Sequence, residues 1–222
     1  MRSHLNSRVL GVALLGVLMF ALAGPASAQT LYQNGKVNGQ ASGWTIDFGF
    51  AVADSFTLSG SSTLSGVEFG EWNFPGDTTS AVDWAIVTGT PFSAETVVDS
   101  GTGASVGNSF LYSNGSGYDV NLSSFSLGNI PLGAGTYYLE LQNAVVTNGD
   151  AGYWDINNGP SDAYENSIGD VNGYIFPGTN STAFLIYGPG GPNTPLVPEP
   201  GTVTLLGTGL LSLLGLRRRL SS

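Results

Sequence analysis

The chain contains no cysteine, and its single histidine, His4, lies within a few residues of the N-terminus. Basic residues are almost as scarce. Arg2, Arg8, Arg217, Arg218 and Arg219 sit at the two ends, which leaves Lys36 alone for everything between them. Each absence removes a class of chemistry. No Ser-His-Asp or Cys-His site can be built in the interior of this chain, and no histidine- or thiolate-ligated zinc. No arginine fork is available there to clamp a phosphate. One lysine against fifteen acids gives residues 29–197 a formal charge of −14, which repels phosphate backbones and excludes nucleic acid as a partner. Without disulfides, packing and buried polar contacts must hold the fold together.

The N-terminal end explains part of the basic distribution. Arg2 and Arg8 supply a positive region, Val9 to Ala23 is an apolar or small run, and Gly24-Pro25 precedes Ala26-Ser27-Ala28. This is the layout of a secretory signal peptide over residues 1–28. Signal peptidase is expected to cut between Ala28 and Gln29 after passage through the general secretion machinery.

Residues 29–187 are poor in helix formers and rich in Gly, Ser, Thr and Asn, with aromatic and β-branched residues at short intervals. Trp44, Ile46, Phe48, Phe50 and Val52 alternate with Thr45, Asp47, Gly49 and Ala51, a period-2 pattern that predicts one strand with a buried face. Similar alternation recurs at Val82 to Ile86 and Tyr137 to Gln142. Shorter runs at Phe56 to Leu58, Val67 to Phe69, Phe110 to Tyr112, Tyr118 to Leu122 and Ala183 to Tyr187 sit between turn clusters such as Asn114-Gly115 and Gly133-Ala134-Gly135. The reading is all-β, an antiparallel β-sandwich of jelly-roll-like type. Between Thr147 and Thr182 the alternation fades, which predicts an irregular loop region with one short strand at Tyr153 to Ile156.

Residues 188–200, GPGGPNTPLVPEP, form a Pro/Gly linker that reaches roughly 40 Å if extended at ~3.1 Å per residue. Gly201 to Leu216 follows without a charge and spans about 24 Å as a helix, against a bilayer core of ~30 Å. Residues 201–222 are therefore expected to form a short transmembrane helix with a basic tail. Arg217, Arg218 and Arg219 stay on the cytoplasmic side, leaving the sandwich outside. The segment Val197-Pro198-Glu199-Pro200, the apolar run and the arginine cluster, in that order, resemble a PEP-CTERM sorting signal. The resemblance implies recognition by exosortase, a membrane cysteine transpeptidase, with cleavage near the Pro-Glu-Pro motif. It also implies membrane anchoring in transit and a destination at the cell surface or in an extracellular matrix, in systems associated with exopolysaccharide and biofilm. The two prolines keep the backbone extended and deny it helical hydrogen bonds, which suits a protease cleft.

The activity of the sandwich is a separate question. Trp72, Tyr153 and Trp154 lie among acids and amides and are the candidate glycan contacts of a non-enzymatic structural or carbohydrate-binding module. The residue inventory confines catalysis to carboxylate chemistry such as glycoside hydrolysis. Glu68 and Glu71, three apart on a strand, face opposite sides, and no catalytic residue is assigned. No cofactor is required, although Asp150, Asp155 and Asp170 offer hard oxygen ligands for calcium on a loop-rich stretch.

Overall fold

A computed structural model describes residues 29–39, 42–167, 174–175 and 181–191. The expectations for the signal peptide, the sorting motif, the tail and Asp170 fall outside the described residues. Fourteen strands are described: β1 Thr30–Gln33, β2 Ser42–Thr45, β3 Phe50–Leu58, β4 Ser62–Asn73, β5 Thr79–Thr90, β6 Ala94–Ser105, β7 Gly107–Ser113, β8 Asp119–Leu132, β9 Gly135–Val146, β10 Tyr153–Asn157, β11 Ala163–Ser167, β12 Tyr174–Ile175, β13 Ser181–Thr182 and β14 Phe184–Tyr187. A single 3-10 turn, Thr147–Gly149, interrupts them.

All the pairings are antiparallel and build two sheets. In the first, β4 pairs along its length with β8, which in turn carries β7. β4 also pairs with β14 at Gly66 to Phe69 and with β10 at Glu71 and Trp72. β1 completes one side through β14, while β2 and β13 pair with β10. The second sheet has the order β12-β11-β3-β9-β5-β6. Apolar side chains from both sheets meet between them, among them Val52, Phe56, Ile86, Leu139 and Leu141 from one and Val67, Phe69, Phe125, Trp154, Phe184 and Ile186 from the other. Trp84 stacks across the interface on Phe125, with ring centroids 6.5 Å apart. Each such side chain contributes roughly 1.5–3 kcal/mol through removal from water.

Turn chemistry places the strands where the sequence suggests. Asn114 Oδ1 accepts the amides of Ser116 and Tyr118, each at 3.0 Å, and so closes the β7–β8 hairpin. Two expectations change. The alternating run from Trp44 to Val52 is not one strand: β2 ends at Thr45 in the first sheet and β3 starts at Phe50 in the second. Between them Phe48 (φ 49°) and Gly49 (φ 86°) take left-handed backbone, and the Phe50 amide bonds back to the Asp47 carbonyl at 2.8 Å. The stretch from Thr147 to Thr182 is also not merely a loop, because β10, β11, β12 and β13 all fall in it.

Buried polar groups tie the sheets where no disulfide does. Glu71 on β4 is fully buried, and its carboxylate accepts hydrogen bonds from Thr79 on β5, from Ser123 on β8 at 2.6 Å and from Asn73 at 3.2 Å. Asp54 on β3 reaches the opposite sheet. Its Oδ2 accepts from the Thr182 amide (2.6 Å), the Thr182 hydroxyl (2.7 Å) and Asn34 Nδ2 (2.9 Å), while Oδ1 takes the Ser55 amide. Such acids are tolerable only because nearly every lone pair finds a donor.

Candidate functional site

The three aromatic residues singled out from sequence separate by strand parity. Trp154 lies opposite Glu71 and faces inward. It is fully buried, edge-on to Phe69 and Phe184, with its indole nitrogen donating to the Ala183 carbonyl at 3.0 Å. It has no face left for a sugar, which corrects that expectation. Tyr153 and Trp72 pair on the outer side of the sheet, but Trp72 is only 5% exposed. The segment 34–39 crosses this outer side, and Val37 rests on Gly70, where any added Cβ would meet Val37 Cγ2 at 2.8 Å. Trp72 is thus also removed as a stacking surface. Tyr153 remains partly exposed and joins a cluster that sequence spacing hides: Tyr118 lies 5.6 Å from Tyr153, 5.7 Å from Trp72 and 5.1 Å from Phe74, which is 40% exposed.

Of the three calcium candidates, Asp150 and Asp155 lie within the described residues and Asp170 does not. Asp155 is buried under the same crossing segment and accepts from the amides of Asn38 and Gly39, each at 2.9 Å, and from Trp72 Nε1 at 2.7 Å. Its oxygens are committed to the protein. Asp150 is exposed. Among the described residues, no three acidic side chains gather so as to hold a metal ion.

One end of the sandwich collects the loops that precede β3, β5, β8 and β10, because β2, β4, β7 and β9 end there. The loops are laced together: Ile46 donates to the Gly152 carbonyl at 3.1 Å, Asn148 Nδ2 to Asp77 at 2.6 Å, and the Gly76 amide to Asp119 at 2.9 Å. A cavity of about 400 Å³ opens here, lined by Asp47, Phe48, Gly49, Asn143, Gly149, Asp150 and the end of β9. Asp47 is 4% exposed; its Oδ2 accepts the Gly152 amide at 3.0 Å, whereas its Oδ1 is buried with no hydrogen-bond partner. Burial raises the Asp47 carboxyl above its ordinary value, the Gly152 amide opposing the rise. The Tyr153 hydroxyl is raised as well, first by burial, then by Tyr118, Asp47 and Asp150. These carboxylates therefore share one negative corner. No sequence signal connects Asp47 with Asp150, since the pattern around Asp47 reads as strand.

Elsewhere, on the outer face of the second sheet, Glu140 is pushed up to about 8, first by burial and then by the Glu95 carboxyl beside it. Asp54 is raised to about 6 by burial despite its four donors.

Residues 196–219 match the family model of the PEP-CTERM protein-sorting motif. The match spans Val197 to Pro200 and Arg217 to Arg219, so the motif implies exosortase processing of an exported, membrane-transiting protein. It covers the tail alone and carries no statement about the sandwich. No curated protein and no solved structure matches the chain. Among the described residues no helix is long and apolar enough to cross a membrane.

Proposed function

We propose that this is an exported, exosortase-sorted protein of the cell surface or extracellular matrix. In this reading the β-sandwich is a displayed module that works by binding or scaffolding, in the company of exopolysaccharide, rather than by catalysis. The observation that carries the reading is the sorting-motif match at residues 196–219, preceded by a Pro/Gly spacer. The acids support the non-catalytic part. Glu71, Asp54 and Asp155 each accept several protein donors and act as structural ties, and Glu68, which accepts from the Tyr187 hydroxyl at 3.2 Å, lies on the opposite strand face from Glu71. A glycosidase needs two carboxyls free to face each other across a substrate.

Replacing Pro198, Glu199 and Pro200 with alanine tests the sorting part. The altered protein should still be exported but remain in the membrane fraction of an exosortase-bearing host. Unchanged release or surface display would contradict the reading.

A further inference from the structure

Strand β7, Gly107–Ser113, is exposed at every residue. Among the described residues it pairs only with β8, so its other side presents the backbone donors and acceptors of a sheet edge. Phe110 is 59% exposed, and Leu111 and Tyr112 beside it also leave large side chains in water. The strand carries neither a charge nor a proline. The other edges are defended. β1, β2, β12 and β13 are no longer than 4 residues, and β6, though 12 residues long, holds Glu95 and Asp99 and takes left-handed backbone at Gly103 (φ 60°). On β7 the register shift at Leu111 bends the far end and leaves Gly107 to Phe110 regular.

Charge decides the partner. Between Ser100 and Leu139 the single charged residue is Asp119, whose carboxylate accepts from Ser113 Oγ at 2.6 Å and from the Gly76 amide at 2.9 Å. β7 and its neighbour β8 are therefore a neutral swath on a domain of formal charge −14. Two copies of the domain repel each other over most approaches, and here they can meet at the least Coulombic cost. A basic peptide finds no counter-charge on this edge, and residues 188–200 are interrupted by prolines, which cannot donate to a ladder. We infer that β7 pairs with β7 of a second copy of this chain, antiparallel over Gly107 to Phe110, so that the first sheets of the two copies run on into one another. Each Phe110 ring would lie over the partner's Gly107, which has no side chain to obstruct it. Both copies use the same strand and β6 is guarded, so the contact closes at two and does not propagate. The inference goes beyond the function proposed above and rests on the fold, not on the sorting motif, so either can fail alone.

The full-length chain in mild detergent is followed by sedimentation equilibrium, alongside Phe110→Glu and Val98→Glu. All three share the tail, so a difference between them belongs to the sandwich. A monomer–dimer equilibrium is expected that tightens as salt rises, because screening relieves the repulsion between like-charged domains. Phe110→Glu, which sets acids on the pairing edge, should weaken it by ~10-fold or more with the circular dichroism spectrum unaltered. Val98→Glu, the same kind of change at an exposed apolar residue of β6, should leave it as it was. Hydrogen exchange at residues 107–110 should slow as protein concentration rises, and exchange at residues 94–105 should not. Monomer at every soluble concentration, a dimer that Phe110→Glu leaves intact, or a dimer lost in Val98→Glu would overturn the inference. So would exchange at residues 107–110 that is independent of concentration, which would leave any association to the tail. A neutral Thr-Val repeat peptide that protects those amides at lower concentration than the protein itself does would reassign the edge to a foreign strand.

Discussion

Trp72 Nε1 donates a 2.7 Å hydrogen bond to Asp155 Oδ1, and the same carboxylate receives the amides of Asn38 and Gly39. One acid thereby fixes an outer-face tryptophan and the segment that covers it. Asp155→Ala should cost about 1–3 kcal/mol by leaving those donors buried and unpaired. Hydrogen exchange should speed up first at Asn38 and Gly39. If exchange there is unchanged, the carboxylate does not hold the segment.

Trp154→Ala tests the correction to the glycan reading. Removal of a fully buried indole from between Phe69 and Phe184 should destabilise the protein by roughly 3–5 kcal/mol in denaturant titration. A variant of near-native stability would return the ring to the surface.

The raised carboxyls set a pH dependence of definite sign. Asp54 (about 6) and Glu140 (about 8) hold their protons more tightly in the folded state than in the unfolded chain, where carboxyls titrate near ~4. Their contribution is complete in acid below that value. It is lost as pH rises, through about 6 for Asp54 and about 8 for Glu140, with Asp54 accounting for on the order of 3 kcal/mol. Stability should therefore fall between mildly acidic and mildly alkaline buffer. In Glu140→Gln the decline above neutrality should flatten, since an uncharged amide sits beside Glu95. A stability maximum on the alkaline side would contradict both assignments.

Gly101 pairs with Trp84 across β5 and β6, and a Cβ there would lie 2.6 Å from Trp84 Nε1. Gly101→Ala should lower stability by about 1–3 kcal/mol as the indole is displaced. Gly60→Ala, where nothing lies within 4 Å, serves as the control and should change little. Equal melting of the two variants would show that the Trp84 ring is not held against β6.

Strand alternation made much of the fold legible. Leu139 and Leu141 point into the core while Tyr138 and Gln142 remain partly exposed, as their period-2 spacing predicts. β6 left no such trace, because it is an edge strand exposed on most of its length and held by backbone pairing to β5. The run from Trp44 to Val52 misled for the opposite reason: its alternation persists through a left-handed turn, so two strands in different sheets share one pattern. Parity showed that Tyr153 and Trp154 part company but not which of them turns inward, which the pairing with Glu71 and Trp72 decides. The loop-end cavity was invisible, since Asp47 and Asp150 meet only after the whole of β3 to β9 has folded between them. The sorting tail needed no fold to be read, being recognised as a linear sequence.

The central claim, that the sandwich is cargo and the two ends are addresses, is tested most directly by intact-mass analysis of the protein recovered from outside an exosortase-bearing cell. The account predicts a chain that begins at Gln29 and ends near Pro198-Glu199-Pro200, with Gly201 to Ser222 removed. An external protein that retains Arg217, Arg218 and Arg219 would contradict it.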